Sequence, residues 1–134
     1  MSKILIIDDE RGIRNTLKEI LADEGHEVEV AENGKQGLEM AQAKAYDLIF
    51  SDIKMPEMDG MEVLKALKQP HPTSPQGEET DPIGASIVMI SGHGDVETAV
   101  QALKAGAYDF LVKPLDLNRI LITTKNALES KSLK

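Results

Sequence analysis

No cysteine occurs in the 134 residues, which excludes disulfides, thiolate metal sites and cysteine nucleophiles. Aromatics are scarce. Tyr46, Phe50, Tyr108 and Phe110 are the four present, so the core must be aliphatic. No apolar run approaches the ~20 residues that span a bilayer. No signal-peptide pattern is found either, because Asp8 and Asp9 interrupt the short apolar segment after Lys3. A cytoplasmic location is the expectation by elimination. Basic residues are outnumbered, 15 against 23 acidic, for a net charge of −8. That balance disfavours direct binding of nucleic acid or anionic lipid. The length suits one domain with a single buried core.

Short apolar runs punctuate the chain at regular intervals. Ile4 to Ile7 is apolar without alternation, as in a strand covered on both faces. Ile13, Leu17, Ile20 and Leu21 then repeat at helical spacing, predicting a helix over about 12–24 that Gly25 ends as a left-handed cap. In Glu27 to Ala31, valines alternate with glutamates, the pattern of an edge strand. A second helix follows Asn33-Gly34 and ends near Ala43. Leu48 to Phe50 is a third strand, and Met61, Leu64 and Leu67 mark a third helix after Asp59-Gly60. Ile87 to Ile90 and Asp109 to Val112 are the remaining strands. Helices carrying Val96, Val100 and Leu103, then Leu117, Ile120, Leu121 and Leu128, follow them. Five strands alternating with five helices predict an α/β domain with a parallel sheet between two helical layers. Residues 69–85 break the rhythm with four prolines and little to bury, which predicts a long, mobile loop. The domain is expected over 1–129, with 130–134 as a tail or the start of a linker.

Four strands end in groups with chemical potential: Asp8 and Asp9 after the first, Asp52 after the third, Ser91 after the fourth and Lys113 after the fifth. With strand order 2-1-3-4-5, the first and third strands are neighbours about 4.8 Å apart at the topological switch point, where open α/β sheets bind ligands. Asp8, Asp9 and Asp52 then share one cleft. Three carboxylates repel one another unless a cation or protons intervene. All-oxygen ligation with few protein donors suits Mg²⁺, whose shell a phosphate oxygen commonly completes. A carboxylate beside such an ion can accept a phosphoryl group as an acyl phosphate. Ser91 can donate to a phosphoryl oxygen and Lys113 can neutralise one. Singly, each residue also has an ordinary reading: Asp8 or Asp9 as a helix cap, Ser91 as a turn residue, Lys113 as a surface cation. Their joint placement at one sheet edge favours phosphoryl transfer.

The segments Ile6-Ile7-Asp8-Asp9-Glu10, Ser51-Asp52-Ile53-Lys54-Met55-Pro56 with Asp59-Gly60, Ser91-Gly92-His93 and Phe110-Leu111-Val112-Lys113-Pro114 carry a family resemblance. Together they resemble the receiver domain of bacterial two-component response regulators. The resemblance covers nearly the whole chain and implies a doubly wound (βα)5, flavodoxin-like fold. It implies that a sensor histidine kinase phosphorylates Asp52. Asp9, Asp52 and the Lys54 backbone carbonyl would ligate Mg²⁺, with Asp8 acting through water. Ser91 would be the switch hydroxyl, Phe110 the switch aromatic and Lys113 the phosphate partner. The Lys113-Pro114 peptide should be cis, and Lys54 and His93 should tune the phosphate's lifetime.

Ser91-Gly92-His93-Gly94-Asp95, Thr98-Ala99 and Ala105 to Phe110 resemble, more narrowly, the receivers of nitrogen-regulation-type transcription activators. Those carry an AAA+ ATPase domain and a DNA-binding domain, neither present in this sequence, so the resemblance favours a cut chain over a stand-alone receiver. The 69–85 connection is longer than the family's usual one. The face built by the fourth helix, fifth strand and fifth helix, with Val96, Val100, Ala102, Ala105 and Ala107, is the expected switching surface, able to form a homodimer, with about half of these residues expected simply to face the core. Two other classes compete. A haloacid-dehalogenase-like phosphatase needs a second aspartate two residues after the first, where Lys54 stands. A flavin or nucleotide module needs a phosphate-binding loop, and no GxxxxGK[ST] occurs.

Overall fold

The computed structural model describes residues 2–68, 85–92 and 96–132. The expected loop 69–85, apart from the buried Ala85, lies outside the described residues, as does His93. The elements run β1 (Lys3–Ile7), α1 (Arg11–Asp23), β2 (Glu27–Ala31), α2 (Gly34–Ala43) and β3 (Leu48–Asp52), followed by α3 (Gly60–Lys68), β4 (Ser86–Ser91), α4 (Val96–Lys104), β5 (Asp109–Val112) and α5 (Leu117–Ser132). All neighbouring strands are parallel, in the order β2-β1-β3-β4-β5. The last helix runs on to Ser132, past residue 129.

The unbroken apolar runs divide by strand periodicity into two cores. Leu5, Ile7, Ile49, Ile87 and Met89 face one side, where Val63, Leu64 and Leu67 of α3, Ala41 of α2 and Ala102 of α4 cover them. Ile4, Ile6, Leu48, Phe50, Val88 and Ile90 face the other, under Leu17 and Leu21 of α1 and Ile120 and Ala127 of α5. Successive side chains of a strand point to opposite faces, so a continuous apolar run is what a sheet covered twice requires. Complete burial of each Leu or Ile contributes about 1.5–3 kcal/mol. The edge strand β2 is only half-buried along Val28–Val30. It is laced to its surroundings by polar contacts: Lys3 Nζ to Glu27 at 3.4 Å and Lys44 Nζ to Glu29 at 3.2 Å. The buried Tyr46 also donates its hydroxyl proton to Glu29.

Helix ends follow the sequence signals. Gly25 and Gly106 have φ of +90° and +112° and close α1 and α4, conformations that a Cβ disfavours. Asn33 caps α2 by accepting from Gln36 N at 2.8 Å. Asp59 and Glu62 exchange hydrogen bonds at the start of α3, Glu62 N to Asp59 Oδ1 at 2.9 Å and Asp59 N to Glu62 Oε1 at 3.2 Å, forming a capping box.

Candidate functional site

Register brings the acids together. Ile7 is paired with Ser51, so the next residues, Asp8 and Asp52, emerge side by side from adjacent strands. Ser91 ends β4 one residue beyond Ile90, the partner of Asp52, and Lys113 follows directly on β5. Ser91 is buried, and its carbonyl accepts from Lys113 N at 2.8 Å.

Neither Asp8 nor Asp9 caps α1. The N-cap is Glu10, and its side chain makes no capping bond. Asp8 Oδ1 instead accepts from Glu10 N at 2.8 Å, while Arg14 Nη1 donates to the Asp8 carbonyl at 2.8 Å. Asp8 Oδ2 is buried without a hydrogen-bond partner. Oxygen atoms of Asp8, Asp9, Glu10 and Asp52 all lie within 4.8 Å of one another, Asp8 and Asp52 buried, Asp9 and Glu10 exposed. Glu10 belongs to this constellation although sequence reasoning assigned it no role. Its position directly after Asp8-Asp9 was the available signal.

Lys113 is the counter-charge. Its Nζ lies 3.0 Å from Glu10 Oε1 and 3.5 Å from both Asp8 Oδ2 and Asp52 Oδ1. One ammonium does not balance four carboxylates. Burial, reinforced by the Asp8 charge, pushes Asp52 up to about 6 against the pull of Lys113. Burial likewise raises Asp8. For Lys113, burial disfavours the charge, but the hydrogen bond to Glu10 and the charges of Asp8 and Asp52 outweigh it and raise its pKa. Four clustered carboxylates, two of them buried, with one buried oxygen that accepts no hydrogen bond, make a donor set suited to a divalent cation.

The loop after Asp52 is held close by glycine. A Cβ on Gly60 would lie 2.1 Å from the Asp52 carbonyl oxygen, so only glycine permits α3 to start against the end of β3. Gly60 N donates to Ile53 O at 2.7 Å across the same turn. Lys54 is exposed on this loop, and Glu57 adopts φ 69°. The Lys113-Pro114 peptide is cis, as the resemblance implied. Phe110 is half-buried on β5 and packs against the α3 side of the core. With Leu115, Arg119 and Ile120 it also lines an open cleft of about 250 Å³.

On the expected switching face, part of the set faces the core. Ala102 and Ala107 are buried in the core, so they are not available to a partner. Val96 is 76% exposed, Val100 and Leu103 continue the outward stripe on α4, and Tyr108, Val112 and Leu117 are exposed as well. Small residues in a helix look alike in sequence whether they face the sheet or the solvent.

The model of the response regulator receiver domain family matches residues 4–125. The chain is 41% identical over 133 residues to the nitrogen assimilation regulatory protein NtrX of Azorhizobium caulinodans, covering 98% of this chain and 27% of that protein. It is 38% identical over 125 residues to the transcriptional regulatory protein ZraR of Klebsiella oxytoca, covering 93% and 26%. The chain thus spans about a quarter of the length of these curated relatives. Among solved structures, a receiver domain protein from Clostridium thermocellum superposes with a TM-score of 0.82 at 32% identity, covering 99% of this chain and 98% of that one. NtrX from Brucella abortus gives 0.83 at 38% identity, covering 98% and 28%. The family match decides against the phosphatase and flavin-module readings. Strand order, carboxylate cluster and relatives agree: the chain belongs to the response regulator receiver domains, the phosphoacceptor modules of two-component systems, and resembles those of nitrogen-regulation-type transcription regulators.

Proposed function

We propose that Asp52 is the phosphoacceptor, and that the chain takes a phosphoryl group from a sensor histidine kinase to control an output domain. The observation that carries this reading is the position of Lys113 Nζ, 3.5 Å from both Asp8 and Asp52 inside a cluster of four carboxylates. In the reaction an Asp52 carboxylate oxygen attacks phosphorus, the P–N bond to the kinase imidazole breaks, and the imidazole nitrogen leaves with the electron pair. Small acyl phosphates can serve the same role, with a carboxylate as leaving group.

The donor set fits Mg²⁺: all oxygen, two buried carboxylates and a buried oxygen that lacks a hydrogen-bond partner. Asp9, Asp52 and the Lys54 carbonyl would hold the ion, with Asp8 acting through water. When bound, Mg²⁺ neutralises the acids and the charge that develops on the transferring group. The remaining work belongs to this chain's own residues. Lys113 neutralises a phosphoryl oxygen, and Ser91 donates to another. Phosphorylation adds about −1.5 to −2 charges at neutral pH. Ser91 moves toward that charge, and Phe110 repacks behind it. The surface of α4, β5 and α5, bearing Val96, Val100 and Leu103, then changes shape and pairs with a second copy. Turning a mostly-off population mostly on requires about 5.5 kcal/mol of differential stabilisation, within reach of a few charge-assisted bonds.

The longer protein, on this reading, carries an ATPase domain and a DNA-binding domain and regulates transcription in the cytoplasm. Direct contact with DNA falls to that domain, since this segment is acidic. Among the described residues no helix is long and apolar enough to cross a membrane. Intact-mass measurement with acetyl phosphate and Mg²⁺, run beside size-exclusion chromatography, tests both chemistry and switching. Wild type should gain one phosphoryl mass and shift toward a dimer, and Asp52→Asn should do neither. Unchanged labelling of Asp52→Asn would refute the assignment.

A further inference from the structure

We infer that Glu10 is a positioning residue that latches Lys113 at the rim of the site and so slows phosphoryl uptake. The inference rests on the proposed role of Asp52, but the pairing itself is a matter of geometry. Of the three carboxylates around Lys113 Nζ, Glu10 is nearest, at 3.0 Å against 3.5 Å for Asp8 and Asp52, and it accepts a hydrogen bond from the ammonium. The side chains of Asp8 and Asp52 are nearly inaccessible, whereas that of Glu10 is 60% exposed. Lys113 is therefore shared between a buried pair and a carboxylate at the mouth of the cleft.

The backbone of Glu10 is pinned on both sides. Its N–H donates to Asp8 Oδ1 at 2.8 Å, and its carbonyl accepts from Arg14 N at 3.1 Å. As the first residue outside α1, with extended φ and ψ of −93° and 118° and no capping bond to make, its side chain is free to reach across to β5. A phosphoryl group on Asp52 needs the ammonium that Glu10 holds. Lys113 must break its shortest ion pair to reach it, and the Glu10 charge also stands where an anionic phosphodonor enters. Both effects oppose uptake; shortening residue 10 removes the first, and neutralising it removes both.

The test compares Glu10→Gln, which removes the charge, with Glu10→Asp, which keeps the charge but withdraws it by one methylene. Each is labelled with acetyl phosphate at saturating Mg²⁺ and followed by intact mass. Both variants should label about three- to fivefold faster than wild type, the scale expected of one partly exposed ion pair. Lys113 Cε–Hε signals of the unphosphorylated protein should shift in both variants. Mg²⁺ dissociation constants should remain within about twofold of wild type. Labelling at the wild-type rate in Glu10→Gln overturns the inference. Fast labelling in Glu10→Gln with a wild-type rate in Glu10→Asp also overturns it, since charge alone would then be responsible. A tenfold or greater loss of Mg²⁺ affinity would instead make Glu10 a metal ligand. If wild type takes up no phosphate, the phosphoacceptor reading fails, and the lysine signals still decide whether the latch exists.

Discussion

Two residues separate the most favourably buried part of β3 from its most costly. Phe50 is fully buried in an aliphatic core, whereas Asp52, nearly as buried, sits among carboxylates with one lysine to share. The same contrast repeats on β1 between Ile7 and Asp8. The interior supplies the stability, and the carboxyl edge of the sheet lowers it by concentrating buried like charge. A site that binds a cation and a phosphoryl group is necessarily poor in stability before they arrive.

Breaking the favourable side gives the largest effect. Phe50→Ala leaves a cavity under α1 and α5 and should cost about 3–5 kcal/mol, read as a lower urea midpoint. The costly side should respond with the opposite sign. The folded state holds the Asp52 proton up to about pH 6, whereas the unfolded chain releases it near the ordinary 3.8. Stability from this group is therefore highest below pH 4, falls as pH rises from 4 to 6, and stays low above. The rise from 3.8 to about 6 corresponds to about 3 kcal/mol. Without divalent cations at pH 7, Asp52→Asn should melt at a higher temperature than wild type, with a shallower decline between pH 4 and 6. Some slope should persist because Asp8 is raised in the same direction. Added Mg²⁺ should narrow the gap by stabilising wild type. A lower melting temperature for Asp52→Asn at pH 7 would contradict the unfavourable electrostatics of the edge.

The smallest effect concerns the loop that leaves the edge. Glu57 holds φ 69°, which costs a residue with a Cβ about 1–2 kcal/mol. Glycine removes that cost but loses more chain entropy on folding. Glu57→Gly should thus stabilise by about 0.5–1 kcal/mol, measurable by denaturant titration. A loss of stability would mean that the Glu57 side chain holds the loop.

Much of this division was legible in the residues. Unbroken apolar runs such as Ile4 to Ile7 belong to strands covered on both faces, and polar groups at four strand ends indicated one functional edge. Less legible were pairings that depend on direction in space. Glu10 and Lys113 are 103 positions apart, and no local pattern couples them. Asp8 and Asp9 resembled helix caps because a carboxylate before a helix usually is one, but here the strand register turns Asp8 toward Asp52 instead. On α4, Ala102 and Leu103 are adjacent, yet the alanine faces the sheet and the leucine the solvent.

The sequence by itself determined the fold class and the list of chemical groups at the sheet edge, because periodicity, glycine and charge act locally; the strand order, a matter of long-range pairing, it implied only through resemblance to a family. Tertiary structure decided how those groups share charge: one lysine among four carboxylates, a buried Asp8 oxygen that accepts no hydrogen bond, and an Asp52 raised by burial. Coulombic coupling depends on separation and on exclusion of water, and strands far apart in the chain set both.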